Sequence, residues 1–163
     1  MKILIVSDTH RKDDNLRKVI AENKPIDMLI HLGDSEGSED KFAFWAGENC
    51  EMQMVLGNND FFSDLDRERE IKIGKYKVFL THGHYYNVSL GAERLEQEAR
   101  DRNADIVMYG HTHRPYYEVH NGITILNPGS LSYPRQEGRK PSYMLMELDD
   151  EGEAHFTLNF LEK

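Results

Sequence analysis

The chain has 163 residues, of which 39% are hydrophobic and 30% charged, with 20 Lys and Arg against 29 Asp and Glu and a formal net charge of −9. This is the composition of one soluble globular domain spanning residues 1–163, long enough to enclose a core. The acidic balance argues against tight binding of long nucleic acid, which depends on Lys and Arg neutralising phosphates. A single cysteine, Cys50, leaves no intramolecular disulfide and no thiolate zinc site. No apolar run approaches the roughly 20 residues of a membrane span. The chain opens directly on a strand-like segment without the regions of a signal peptide, so the expected compartment is the cytoplasm.

Lys2 to Val6 (KILIV) is a continuous apolar run, the pattern of a strand buried on both faces. It breaks at Ser7-Asp8-Thr9-His10. Asp13 or Asp14 can cap a helix with Leu16, Val19 and Ile20 on one face, ending at Asn23-Lys24-Pro25. Met28 to Leu32 and Met52 to Leu56 read as two further buried strands, stopping at Gly33-Asp34 and Gly57-Asn58-Asn59-Asp60, with a short amphipathic stretch around Phe42, Phe44 and Trp45 between them. Glu70 to Ile73 and Tyr76 to Thr81 form a predicted hairpin that delivers His82-Gly83-His84. Leu90 to Asn103 is a predicted helix whose outer face carries Glu96–Arg100 and Glu98–Arg102 at i,i+4. Ile106 to Tyr109 leads into Gly110-His111-Thr112-His113. Tyr116 to His120 and Ile123 to Leu126 flank an Asn121-Gly122 turn, and the loop Asn127-Pro128-Gly129-Ser130 follows. Tyr143 to Leu148 and His155 to Leu161 close with a last hairpin. A βαβαβ start followed by hairpins and a helix implies an α/β fold in which two mixed sheets stack and helices cover the outside.

Asp8, His10, Asp34, Asn58, His82, His111 and His113 each lie just past the end of a predicted strand. In α/β sheets such loops converge on one crevice. Seven nitrogen and oxygen donors without thiolates suit two divalent ions such as Mn²⁺, Fe²⁺, Ni²⁺ or Zn²⁺. Two ions about 3.5–4 Å apart need a bridging carboxylate, and Asp34, from a central strand, is the candidate. Bound cations would also offset the acidic net charge at the site itself.

Asp8-x-His10, Gly33-Asp34, Gly57-Asn58-x-Asp60, His82 and Gly110-His111-x-His113 resemble the five signature blocks of the calcineurin-like metallophosphoesterases. Thr81-His82-Gly83-His84, the Asn127–Ser130 loop and the small size resemble its compact YfcE-type phosphodiesterase branch. The resemblance runs from Met1 to about Ser130. It implies a four-layer α/β/β/α sandwich with one metal held by Asp8, His10, Asp34 and His113, and a second by Asp34, Asn58, His82 and His111. The implied reaction is hydrolysis of a small phosphodiester by a metal-bridging hydroxide, with Mn²⁺ as the leading metal and Asp60 orienting a ligand through hydrogen bonds. Many members of the family have a His acting on the leaving group where this chain has Asn59, which can donate a hydrogen bond but not a proton. Either diesters with good leaving groups are then the expected substrates, or His84 or water supplies the proton. Symmetric dimers being common, a homodimer is also implied.

Other reactive side chains have plainer readings. His31, inside an apolar run, is expected to be a packed, hydrogen-bonded core histidine, while His120 and His155 belong at the surface. Arg11, Asn127 and Ser130 are placed at the substrate, with Arg114 and Arg135 as further phosphate contacts; surface or loop-shaping roles compete for each. Phe61, Phe62, Tyr85 and Tyr86 follow the metal blocks and suit either an aromatic wall for a base or aryl group, or packing. Two enzyme alternatives are a phosphomonoesterase and a nuclease for short oligonucleotides. A third is a protein-binding scaffold, as in the retromer subunit related to this branch.

Overall fold

A computed structural model of the chain describes residues 1–162. Ten strands form two five-stranded sheets. β1 (Lys2–Val6), β2 (Met28–His31) and β3 (Glu51–Met54) lie in the first sheet with β9 (Ser142–Leu148) and β10 (Ala154–Phe160), in the order β10-β9-β1-β2-β3. β4 (Glu68–Ile73), β5 (Tyr76–Thr81), β6 (Ile106–Met108), β7 (Pro115–His120) and β8 (Ile123–Pro128) form the second, in the order β4-β5-β6-β8-β7. Three helices flank them: α1 (Asp14–Asn23), α2 (Glu39–Ala46) and α3 (Glu93–Asp101).

The unbroken apolar runs have a simple cause. Side chains alternate along a strand, and both faces of each sheet are covered. Ile3 and Ile5 point into the layer between the sheets with Ile30, Val78, Leu80, Met108 and Met144. Their neighbours Leu4 and Val6 pack instead on Leu16, Val19, Ile20 and Phe42 from α1 and α2. On the other side Phe79, Val107 and Ile125 meet Leu95 and Ala99 of α3. The result is helix, sheet, sheet, helix. β1, β2 and β3 run parallel, as do β5, β6 and β8. Six carboxyl ends, three from each sheet, therefore open onto the same end of the sandwich.

Most expected strand boundaries shift by a residue or two; β4, for example, begins at Glu68 and β8 runs on to Pro128. The third strand ends at Met54: Val55 N–H still donates to the His31 carbonyl at 3.2 Å, but Leu56 turns away and its N–H donates to the Asp66 carbonyl at 2.8 Å. The helix expected from Leu90 is split: Val88–Leu90 is a 3₁₀ turn, Gly91 sits at φ 138°, and α3 starts at Glu93. The last strand runs from Ala154 to Phe160. The i,i+4 pairs on α3 form, and Arg102 also reaches Glu68 at 3.0 Å, tying the helix to the edge of the second sheet.

Candidate metal centre

The loops after β1, β2, β3, β5 and β6 bring the seven expected donors together. Two groups result. His10 Nε2 lies 3.2 Å from His113 Nε2, and Asp8 Oδ1 lies 3.3 Å from the latter. His82 Nε2 lies 3.0 Å from Asn58 Oδ1, 3.3 Å from His111 Nδ1 and 3.3 Å from Asp34 Oδ2. Both carboxylates stand between the groups: Asp34 Oδ2 is also 3.7 Å from His10, and Asp8 Oδ1 3.8 Å from His82.

The tautomers show what these atoms offer. His82 Nδ1 meets the Leu32 carbonyl at 2.7 Å and His113 Nδ1 the Tyr133 carbonyl at 2.8 Å; a carbonyl only accepts, so each Nδ1 carries a proton. His10 Nδ1 meets the Glu36 carboxylate at 2.8 Å in the same way. In the neutral rings all three Nε2 atoms then present lone pairs to other lone pairs. Asp8 Oδ1 is buried with no hydrogen-bond partner, while its Oδ2 accepts from Ser7 Oγ and His111 N–H. Donors around one divalent cation at metal–nitrogen distances of about 2.1 Å stand about 3.0–3.4 Å apart, the separations found here. The donor set fits divalent metal.

The field agrees. Burial would raise Asp8, but His82, His113 and Ser7 hold it below the usual carboxylate value. Burial would likewise raise Asp34, yet His82 and the backbone and side chain of Asn59 hold it well below that range. For His82, burial opposes the charged form, and Asp8 and Asp34 overcome it, pushing the imidazole up to about 9. A site that attracts a proton this strongly will attract a cation. His111 and His84 are shifted the other way, first by burial and then by the charge on His82, His84 to about 4.

Local sequence explains how the donors converge. Asp60 accepts from Asp34 N–H (2.8 Å) and Gly57 N–H (2.7 Å) with one oxygen and from Glu36 N–H (2.7 Å) with the other, fastening the second and third loops together. Gly57 is needed because a Cβ there would overlap the Asp34 carboxylate; one at Gly110 would overlap Ser7 and Asp8. Asp8, His10, Asp34, His111 and His113 all adopt left-handed backbone conformations (φ 48–72°). Such conformations cost of order 1 kcal/mol each and gather where function demands them.

The remaining candidates divide. Asn59 donates to both Asp34 oxygens, through its backbone N–H at 2.8 Å and its Nδ2 at 3.1 Å. His84 is half-buried, its ring edge to face with His82 at 5.4 Å and tilted against His111 at 6.1 Å. Arg11 is exposed at the rim, its Nε donating to the Glu36 carbonyl at 2.7 Å. Asn127 and Ser130, expected at the substrate, are fully buried: Asn127 donates to the Gly110 carbonyl and Ser130 to the Asp8 carbonyl, so they brace the loops and have no surface left for substrate. His31 is fully buried, its ring stacked on Phe42. Phe61, Phe62 and Tyr85 are exposed, whereas Tyr86 packs on Phe79. Glu36 and the Tyr133 carbonyl, which orient His10 and His113, were not foreseen. Glu36 follows Asp34 closely enough to be suspected, but nothing local points to a carbonyl twenty residues beyond His113.

Comparison with known proteins agrees with this geometry. The family model described as the calcineurin-like phosphoesterase superfamily domain matches residues 1–151. The probable metallophosphoesterase YsnB of Bacillus subtilis is 31% identical over 152 residues, covering 93% of this chain and 86% of its own. Phosphodiesterase MJ0936 of Methanocaldococcus jannaschii is 31% identical over 147 residues, 79% of this chain and 83% of its own. A crystal structure of a predicted phosphoesterase from Streptococcus pneumoniae superposes with a TM-score of 0.81 at 32% identity, covering 98% of this chain and 88% of that one. With this fold, this donor set and these relatives, the chain belongs to the calcineurin-like phosphoesterase superfamily and is a metallophosphoesterase.

Proposed function

We propose that the protein hydrolyses small phosphodiesters with two divalent cations, Mn²⁺ in preference to Ni²⁺, Fe²⁺ or Zn²⁺. The observation that carries this reading is the pair of lone-pair clusters sharing Asp8 and Asp34. Asp8, His10, Asp34 and His113 would hold one ion, and Asp34, Asn58, His82 and His111 the other. When bound, such a pair supplies an activated water at neutral pH and neutralises charge on the phosphoryl oxygens. Glu36, the Leu32 carbonyl and the Tyr133 carbonyl fix the imidazoles so that each points a lone pair inward. Asn59 orients Asp34, and an amide there cannot deliver a proton to the leaving oxygen. Esters whose leaving group departs without a proton suit this arrangement, and the name of the phosphodiesterase relative agrees.

The test is cleavage of bis(p-nitrophenyl) phosphate. Mn²⁺ or Ni²⁺ should stimulate it, and chelator or Asp34→Asn should abolish it. A folded, metal-loaded protein without diesterase activity overturns the reading and leaves the monoesterase, the short-oligonucleotide nuclease or the scaffold.

A further inference from the structure

A cleft of about 770 Å³ opens directly off the His10–His113 side of the metal centre, lined by these two histidines with Glu36, Arg114, Tyr133, Pro134, Arg135 and Arg139. This is the size of a small-molecule site, and its wall is unusually charged. Arg114, Arg135 and Arg139 are exposed, and among the described residues none is paired with a carboxylate. Of the other described arginines, Arg69, Arg100 and Arg102 have such partners and Arg11, Arg17, Arg67 and Arg94 do not, but none of these seven lines the cleft. In a chain with nine more acidic than basic residues, three guanidiniums without carboxylate partners outnumber the one carboxylate of the lining, Glu36, which is already bonded to His10 at 2.8 Å, and leave a local excess of positive charge.

The wall is also held in register with the candidate ligands. Arg135 N–H donates to the His113 carbonyl at 3.0 Å, and His113 Nδ1 donates to the Tyr133 carbonyl at 2.8 Å. The loop bearing Arg135 and Arg139 is therefore fastened to His113 from both directions. A phosphodiester carries about one negative charge, which bound cations would already meet. Three further positive charges beside them match a second anion, and a guanidinium fork is shaped for phosphate oxygens.

We propose that this cleft binds a phosphomonoester group carried on the same molecule as the scissile diester. The substrate class is then organic phosphodiesters bearing a second, terminal phosphate. The substrate assignment rests on the metallophosphoesterase reading of the adjoining site, whereas phosphate binding in the cleft rests on the arginines alone.

The experiment compares thymidine 5′-(p-nitrophenyl phosphate) with its 3′-phosphorylated counterpart. The phosphorylated ester should have a kcat/KM higher by about tenfold to a hundredfold, chiefly through KM, the scale of a charge-assisted hydrogen bond. Arg139→Gln should lower that ratio, and Arg135→Gln with Arg139→Gln should bring it near one. Equal kcat/KM for the two esters, or a ratio untouched by the variants, overturns the proposal. A parallel binding measurement, on chelator-treated protein, uses thymidine 3′,5′-bisphosphate against thymidine 5′-monophosphate. Preference for the bisphosphate, lost in the double variant, supports the cleft even if neither ester is cleaved, in which case only the diesterase reading falls. No preference in binding, with both esters cleaved equally, sinks the cleft and leaves the diesterase standing.

Discussion

His10 and His113 face each other across 3.2 Å, nitrogen to nitrogen, each with its other ring proton already given to an acceptor, Glu36 for one and the Tyr133 carbonyl for the other. With both rings neutral no hydrogen bond can form between the two lone pairs, and a cation between them removes the repulsion. His111, although only two residues from His113, turns to Asn58 and His82 instead. The one-residue spacing thus feeds two neighbouring groups.

This division predicts separable losses. His113→Ala should abolish metal at the group with Asp8 and His10 and retain one ion per chain, and His111→Ala should do the same for the group with Asn58 and His82. Metal content after dialysis at limiting Mn²⁺ measures this. Loss of both ions in both variants would show a single cooperative site.

Gly57→Ala puts a methyl group against the Asp34 carboxylate. The loop must shift, and displacing an oriented ligand typically costs about 10–100-fold in metal affinity. Overpacking of this kind also costs about 1–3 kcal/mol of stability. Calorimetric Mn²⁺ titration beside urea unfolding checks both. Affinity within twofold of wild type contradicts the prediction.

Asn59→Ala removes the 3.1 Å bond to Asp34 Oδ2 but keeps the backbone bond to Oδ1. Metal affinity should fall about tenfold, at the low end of the effect of such supporting groups. Asn59→His places a proton donor where the amide stands and should help alkyl diesters more than aryl ones, within the roughly 10²–10⁴-fold reach of a general acid. Equal effects on the two leaving-group classes would refute a leaving-group role for this position.

His31 couples pH to stability. Burial pushes its imidazole down to about 4, against the favourable charges of Asp8, Asp34 and Glu39 and with His82 adding to the depression. Nδ1 accepts from Gly33 N–H at 3.2 Å and Nε2 meets Thr9 Oγ1 at 2.9 Å, so a second ring proton would break the Gly33 bond. The folded value lies below the unfolded value of about 6.5. Its contribution is therefore complete above pH 6.5 and is lost as pH falls towards 4, amounting to about 3 kcal/mol. Urea unfolding of chelator-treated protein should show a shallower pH slope for His31→Asn than for wild type. Parallel slopes would rule this out.

Much of the architecture can be read directly from the chain. Ile3 to Val6 and Met28 to Ile30 are apolar at successive positions because both strand faces are covered, and burial on alternate faces is a local, periodic property. The seven donors stand at strand ends, where parallel strands deliver their loops to one crevice. The Asn121-Gly122 turn and the ion pairs of α3 are likewise short-range chemistry.

Other features depend on contacts distant in sequence. Left-handed conformations at Asp8, His10, Asp34, His111 and His113 are not favoured by those residue types alone; hydrogen bonds such as Asp8 N–H to Gly33 O and His10 N–H to Asp34 O help impose them. The burial of Asn127 and Ser130 follows from the two sheets meeting at their strand ends. The placement of Arg135 and Arg139 beside His10 comes from a loop pinned to His113, about twenty residues away. Periodicity lies in neighbouring residues and so is visible in the sequence, whereas convergence requires the packed sheets to set distance and direction between side chains that share no local pattern.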